Sequence, residues 1–340
     1  MKKRLLTIIA LLAAGWIATA ETVGIITYVE GWVDLKSGKG TPVEAFIGDE
    51  IRTGDSVITG SDGIATIERE GALTINIASD TVFTLQEIDT DTGKETAMAA
   101  AVGSVKFKFG KLIGKEPQIR TPSMVAGVRG TEFTVWTAPE GSTLVAVTSG
   151  EVAVSAEGAT VSLLADEGVS VEPGKLPGEK FSVLGRPLNH KEWAQKKMDE
   201  FLEDPMDTLE GLHRTLLSYY REIDDLKAAF EQLQNDIDGL KAEQKQILAD
   251  EGKEKAGLFY KERIYPVEVK QTRAYANMRY WAVSAYNLKR HALAKTYLVI
   301  KTKYLADPDV DVYRDFISGY KRITDEFWRQ TKELLSYADV

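Results

Sequence analysis

The sequence predicts a multidomain chain, β then α. An all-β module over residues 21–185 is followed by a long-helix, antiparallel, coiled-coil-like bundle over residues 186–340. Three observations carry this reading. Apolar residues alternate with period two up to Val183, and turn residues separate these runs about every ten positions. Beyond Pro187 the apolar spacing changes to threes and fours, the period of a helix face.

Residues 1–20 read as a secretory signal. Lys2, Lys3 and Arg4 precede the apolar run Leu5–Ile17, which is too short to cross a bilayer comfortably. Ala18-Thr19-Ala20 then offers a cleavage site before Glu21. The expected address is therefore export, to the periplasm in the first place or to the exterior. No later run reaches the length of a membrane span. Loss of the three leader cations takes the formal net charge from −9 to −12. Such a chain is a poor general partner for nucleic acid or anionic lipid. It contains no cysteine, which excludes disulfides, thiol catalysis and cysteine metal sites.

The strand runs follow in order at Gly31–Leu35, Ile64–Glu68, Leu73–Ile77, Val82–Leu85, Val105–Phe109, Leu144–Val147 and Val152–Val154. β-branched residues dominate them, as suits a half-buried pleated surface. A Gly-x-Val-x-apolar pattern recurs at Gly31–Leu35, Gly103–Phe107 and Gly150–Val154. Repeated strand-turn units suggest a short β-solenoid. A sandwich satisfies the same alternation, so both remain open.

The helical half begins with a short helix over Lys191–Glu203. Asp204-Pro205 then supplies an N-cap and a proline at the first helical position. From Leu209 the residues Leu212, Leu216, Tyr219, Ile223, Leu226, Phe230, Leu233, Ile237 and Leu240 keep heptad spacing, and Ile247 continues it past Gln244. Asp250–Lys261, glycine-bearing and charged, reads as a turn. A second helix, 267–306, shows two stripes: Met278, Trp281, Ala285, Leu288 and Ala292, then Leu293, Tyr297, Ile300 and Tyr304. A third helix follows Asp307-Pro308, with Tyr313, Phe316, Tyr320, Ile323, Phe327 and Leu334 in register. Bundle core is the reading of these stripes.

The most specific stretch is Pro117–Val135. It runs as a strand, breaks at Pro122, passes Gly127 and Gly130 on either side of Arg129, and resumes at Thr131. Thr121-Pro122 followed by Val128-Arg129-Gly130-Thr131-Glu132-Phe133-Thr134-Val135 resembles the core signature of FecR-type domains. Gly48–Ser56, Ser61-Asp62-Gly63, Gly141–Val154 and Ala165–Val171 resemble further elements of that family, in its order, so the resemblance covers residues 25–175. It implies a periplasmic all-β module that carries signals by protein contact. The cleavable leader, the missing membrane helix and the helical second half depart from the family's transmembrane sigma regulators.

No catalytic, cofactor or metal site is expected. The chain has no nucleophile elbow, P-loop or dinucleotide fingerprint, and His190, His213 and His291 read as ordinary helix-surface residues. Asp307–Asp311 lacks the glycine and distal glutamate of a calcium loop and reads as a helix-start cluster. Between Ser104 and Gly130 the chain turns basic: Lys106, Lys108, Lys111, Lys115, Arg120 and Arg129 face only Glu116. The first five are the candidate interaction face, for an acidic protein or an anionic envelope polymer. Arg129, Gly130 and Glu132 are the candidate structural clamp, with the guanidinium bridging carbonyls or a carboxylate such as Glu132 or Asp62. The expected function is an exported, non-enzymatic protein acting by protein contact in cell-envelope signalling or assembly, with self-assembly through the helices. The alternative is a protein that binds or anchors to cell wall or surface polysaccharide.

Overall fold

A computed structural model describes residues 22–37, 40–69, 72–90, 93–110, 117–185 and 188–336. The signal segment 1–20 lies outside the described residues. The β half comprises β1 (Thr22–Glu30), β2 (Val33–Ser37), β3 (Val43–Glu44), β4 (Glu50–Arg52), β5 (Asp55–Thr59), β6 (Ile64–Arg69), β7 (Leu73–Ile77) and β8 (Val82–Thr90). It continues with β9 (Gly93–Phe109), β10 (Gln118–Arg120), β11 (Val125–Thr137), β12 (Thr143–Ala156), β13 (Ala159–Leu164), β14 (Glu167–Val171) and β15 (Phe181–Ser182).

These strands hydrogen-bond into one sheet that folds over itself into two layers. One layer runs β4-β1-β6-β7, the second half of β9, the second half of β11, the first half of β12, then β14-β15. The other runs β3-β2-β5-β8, the first half of β9, β10, the first half of β11, the second half of β12, then β13. Among the described strands every pairing is antiparallel except β9 with β10. That excludes the parallel stacked coils of a solenoid and leaves a sandwich-like closure.

The glycine repeat has a different cause. Gly31, Gly103 and Gly150 all have positive φ, at 66°, 101° and 85°. At each one the chain passes from one layer to the other. A residue with a Cβ resists that conformation, so the repeated glycine marks a layer crossing. Between the layers lies one core, in which Phe107 stacks on Phe133 at 5.3 Å and on Phe109 at 6.0 Å.

The helical half comprises α1 (His190–Glu203), α2 (Pro205–Asp250), α3 (Lys253–Phe259), a π turn at Tyr260–Ile264, α4 (Tyr265–Leu288), a second π turn at Lys289–Leu293, α5 (Ala294–Lys303) and α6 (Asp311–Ser336). Asn189 caps α1, and Asp204 caps α2 through the amide of Asp207 with Pro205 at its start. α2 and α4 run antiparallel: Tyr219 meets Trp281, Gln234 meets Gln271, and Lys241 meets Glu268. α6 completes a core with Phe316, Ile323 and Phe327 against Leu209, Leu212 and Leu216.

The reversal after α2 is shorter than the turn expected at Asp250–Lys261. Gly252, at φ 89°, makes it nearly alone, and Lys253 already begins α3. The two stripes of the second helix also have a structural cause. The π turn at Lys289–Leu293 inserts one residue into the helical repeat, which rotates the buried face between Leu288 and Leu293.

Candidate functional site

The signature segment forms a corner of the sheet. β11 pairs with β10 and the end of β12 up to Arg129, then shifts register between Arg129 and Glu132 and pairs with β9 from Glu132 onward. Gly130 makes the bend at φ 56°. Gly150 of β12 stacks against it: a Cβ there would stand 2.6 Å from Thr131 Cγ2 and 2.9 Å from the Gly130 carbonyl oxygen. Two neighbouring strands therefore bend together, and only glycine fits the contact.

The Thr-Pro half of the signature is fixed by hydroxyls. Thr121 Oγ1 accepts the amides of Ser123 and Met124 and the hydroxyl of Thr143 at 2.7 Å, while Ser123 Oγ donates to Thr143 at 2.8 Å. All three side chains are buried, so each hydroxyl needs these partners. Pro122 then lies beneath the helical half, where the Gly141 position approaches Pro122, Pro173 and Leu212.

Of the predicted basic face, the described residues Lys106, Lys108 and Arg120 do not share one free surface. Lys111 and Lys115 lie outside the described residues. Lys108 is exposed and Lys106 points the same way, but Lys106 Nζ pairs with Glu132 at 2.6 Å. That ion pair holds the Glu132 carboxyl below its usual range. Arg120 is turned inward. Its guanidinium lies 4.5 Å from the Trp281 ring centroid and 5.6 Å from that of Tyr280, while its Nη2 donates to Gln118 Oε1 at 3.2 Å. β10 ends under α4, so a planar cation at its last position meets aromatic faces, not solvent. The carboxylates predicted to meet the clamp have other partners. Glu132 is engaged by Lys106, Asp62 accepts the amide of Trp32, and the Arg129 side chain lies outside the described residues.

The histidines are half-buried, and all three lie where elements meet. His213 Nε2 is 2.7 Å from Glu326 Oε2, joining α2 to α6. His190 sits 6.1 Å from the Trp136 ring and 6.4 Å from that of Trp193. His291 is held by the second π turn against the β module, where burial drives its pKa down to about 4 with help from Arg290 and Lys36. Among the described residues no cluster of metal-ligating side chains occurs, and no helix is long and apolar enough to cross a membrane.

Sequence periodicity did not disclose a group of exposed apolar residues at one end of the β module. Trp32 is 56% exposed, Phe46 59% and Ile47 66%, with Val43, Tyr28 and Ile64 also exposed. The loop holding Phe46 and Ile47 is stitched to both adjoining strands, through Gly48 N to Ile26 O at 2.8 Å and Ala45 N to Val33 O at 2.9 Å. Trp32 is fixed over Gly60, whose Cβ position falls 2.3 Å from its ring. A rigidly mounted exposed tryptophan just before β2, a strand that adjoins the segment of an exposed phenylalanine and isoleucine, is the composition of an interface centre. The helical half packs mainly on β8 and β9 and leaves this end open.

Residues 55–153 match the family model described as FecR protein. The chain therefore carries a FecR domain, and the matched segment includes both bent strands of the signature corner. Two crystal structures of a "putative anti-sigma factor from Parabacteroides distasonis ATCC 8503" also match, each at 19% identity and a TM-score of 0.32. The matches cover 37% of this chain and 59% of that one, so this chain spans less than two thirds of that protein's length. At that score the likeness bears no weight for fold or function. No curated protein matches the chain.

Proposed function

We propose that this chain is an exported, non-enzymatic protein that works by protein contact in cell-envelope signalling or assembly. On this reading the leader is removed after Ala20, residues 21–185 are the contacting module and residues 186–340 are its helical support. The destination is the periplasm. The observation that carries the reading is the exposed group of Trp32, Phe46 and Ile47, away from β8 and β9 where the helical half mainly packs. The FecR match over residues 55–153 supports it, since that resemblance implies a module that carries signals by protein contact.

Self-assembly through the heptad seam loses its motive. Leu209, Leu212, Leu216, Tyr219 and Ile223 are buried against α4 and α6 of the same chain. The alternative reading, attachment to a wall or surface polysaccharide through the basic strand, is weakened because Arg120 is stacked and Lys106 is paired.

In-cell photo-cross-linking tests the proposal. A cross-linker at position 46 is expected to capture a defined envelope protein, with the adduct lost on Trp32→Ala. A cross-linker at Leu258, exposed on α3, serves as the control. Retention of the chain in the cytoplasm, or identical adducts at both positions, would refute it.

A further inference from the structure

A cleft of about 510 Å³ lies between the outer face of β2-β5-β8 and α4. Its charges come from separate parts of the chain: Lys36 on β2, Arg52 at the end of β4, Arg279 on α4 and Arg290 in the second π turn. Asp55 is the lone carboxylate among its lining residues, and it is occupied as a turn acceptor, taking the Arg52 amide at 2.8 Å. Arg52 pairs with Glu50 at 2.9 Å. Among the described residues, Lys36, Arg279 and Arg290 have no salt-bridge partner. Beyond Arg290 and His291 the cleft opens into a second space of about 830 Å³ that adds Lys191 and Lys295 against Asp80.

Two halves of the chain thus dock with like charges facing across the seam, in a protein that is acidic overall. Such an arrangement is costly unless an anion occupies it. The lowered pKa of His291, driven partly by Arg290 and Lys36, reports the same positive potential. The remaining lining is not that of a site for a bare ion. Tyr280 and Tyr286 line it with rings, Gln86 and Asn287 with amides, and Ser56 and Thr84 with hydroxyls that bond each other at 2.9 Å. The volume falls in the range of small-molecule sites, well above an inorganic anion.

We infer that this cleft binds an acidic sugar, a saccharide unit bearing a phosphate or a carboxylate. The cations Arg279, Arg290 and Lys36 would hold the acid group, while the tyrosines and amides would meet the ring and hydroxyls. The inference stands on the cleft alone and survives if the protein-contact reading fails.

Calorimetric titration of the full chain tests it, with glucose 6-phosphate, glucuronate, inorganic phosphate and uncharged glucose as probes. The two acidic sugars are expected to bind saturably and glucose to fail. Arg279→Gln combined with Arg290→Gln should weaken binding at least tenfold, and Lys108→Gln, on the opposite face, should leave it unchanged. If the double variant does not fold, Lys36→Gln probes the other wall and should weaken binding by a smaller factor. No saturable binding by either acidic sugar, or undiminished binding in these variants, would overturn the inference. Inorganic phosphate binding as tightly as glucose 6-phosphate would also overturn it, by reducing the cleft to a site for free anions.

Discussion

Alanine in the middle of a helix normally stabilises it relative to glycine, by about 0.8–1 kcal/mol. α2 contains two interior glycines that turn this rule into a test. Gly239 has nothing within 4 Å of its Cβ position, so Gly239→Ala should yield the full gain. Gly211 lies where α2 crosses the turn after β14. A Cβ there would stand 2.1 Å from the Pro173 carbonyl oxygen and 2.8 Å from its carbon, closer than the 3.0 Å that real Cβ atoms respect. The obstacle is backbone and cannot rotate away. The same turn is pinned on both sides, by Gly174 against Gly211 and by Lys175 Nζ to Asp207 Oδ2 at 2.7 Å. Relief therefore means lifting α2 by roughly 1 Å, an overpacking cost of about 1–3 kcal/mol. The clash outweighs propensity, and Gly211→Ala should lose about 1–2 kcal/mol net. Urea unfolding followed by helical circular dichroism reads both variants. Equal rises in the two midpoints would refute the docking of α2 on the β module described above.

Further outcomes follow from buried charge at the same junction. Arg120→Ala should cost about 1–2 kcal/mol, and Arg120→Lys should restore little of it because an ammonium cannot stack flat on Trp281. Unchanged stability with lost partner capture would return Arg120 to an outward role. His291 is held neutral, its pKa depressed from the usual 6.5 to about 4. The unfolded chain binds this proton first, so the contribution is complete above pH 6.5 and fades as the pH falls toward 4. The loss should be about 2–3 kcal/mol, and His291→Gln should flatten that slope in thermal melts across the window. Glu140 is 2% exposed and its Oε2 has no hydrogen bond, so burial raises its pKa despite nearby Lys197. A raised carboxyl favours folding at low pH and is lost as the pH rises through its folded value. Glu140→Gln should therefore stabilise by about 1 kcal/mol at pH 8 and little at pH 4, measured by the same melts.

Much of this architecture was legible because it rests on local rules. The heptad spacing from Leu209 to Ile223 marks residues that are buried, and Asp204-Pro205 starts α2 as its chemistry requires. The glycine repeat was visible, but its meaning was not. Gly31, Gly103 and Gly150 satisfy the pattern of stacked coils equally well, and only the pairing partners reveal that each crosses between layers. Charge was the least legible property. Lys106, Lys108 and Arg120 are neighbours in sequence, yet a strand end tucked under α4 sends Arg120 into an aromatic contact. Lys36 is far in the chain from Arg279 and Arg290 and meets them only when the two halves dock. The exposed apolar group escaped for a related reason. Phe46 and Ile47 belong to no alternating run, and their exposure follows from the turn that Asp49 closes by accepting the Phe46 amide at 2.8 Å.

The most direct test of the central claim is the affinity of the protein captured at position 46 for the purified chain and its Trp32→Ala variant. A tryptophan at an interface centre is worth about 2 kcal/mol or more on truncation, so binding should weaken at least roughly tenfold while the melting temperature stays close to that of the parent. Equal affinity for both chains would contradict the assignment of this end of the β module as the working surface.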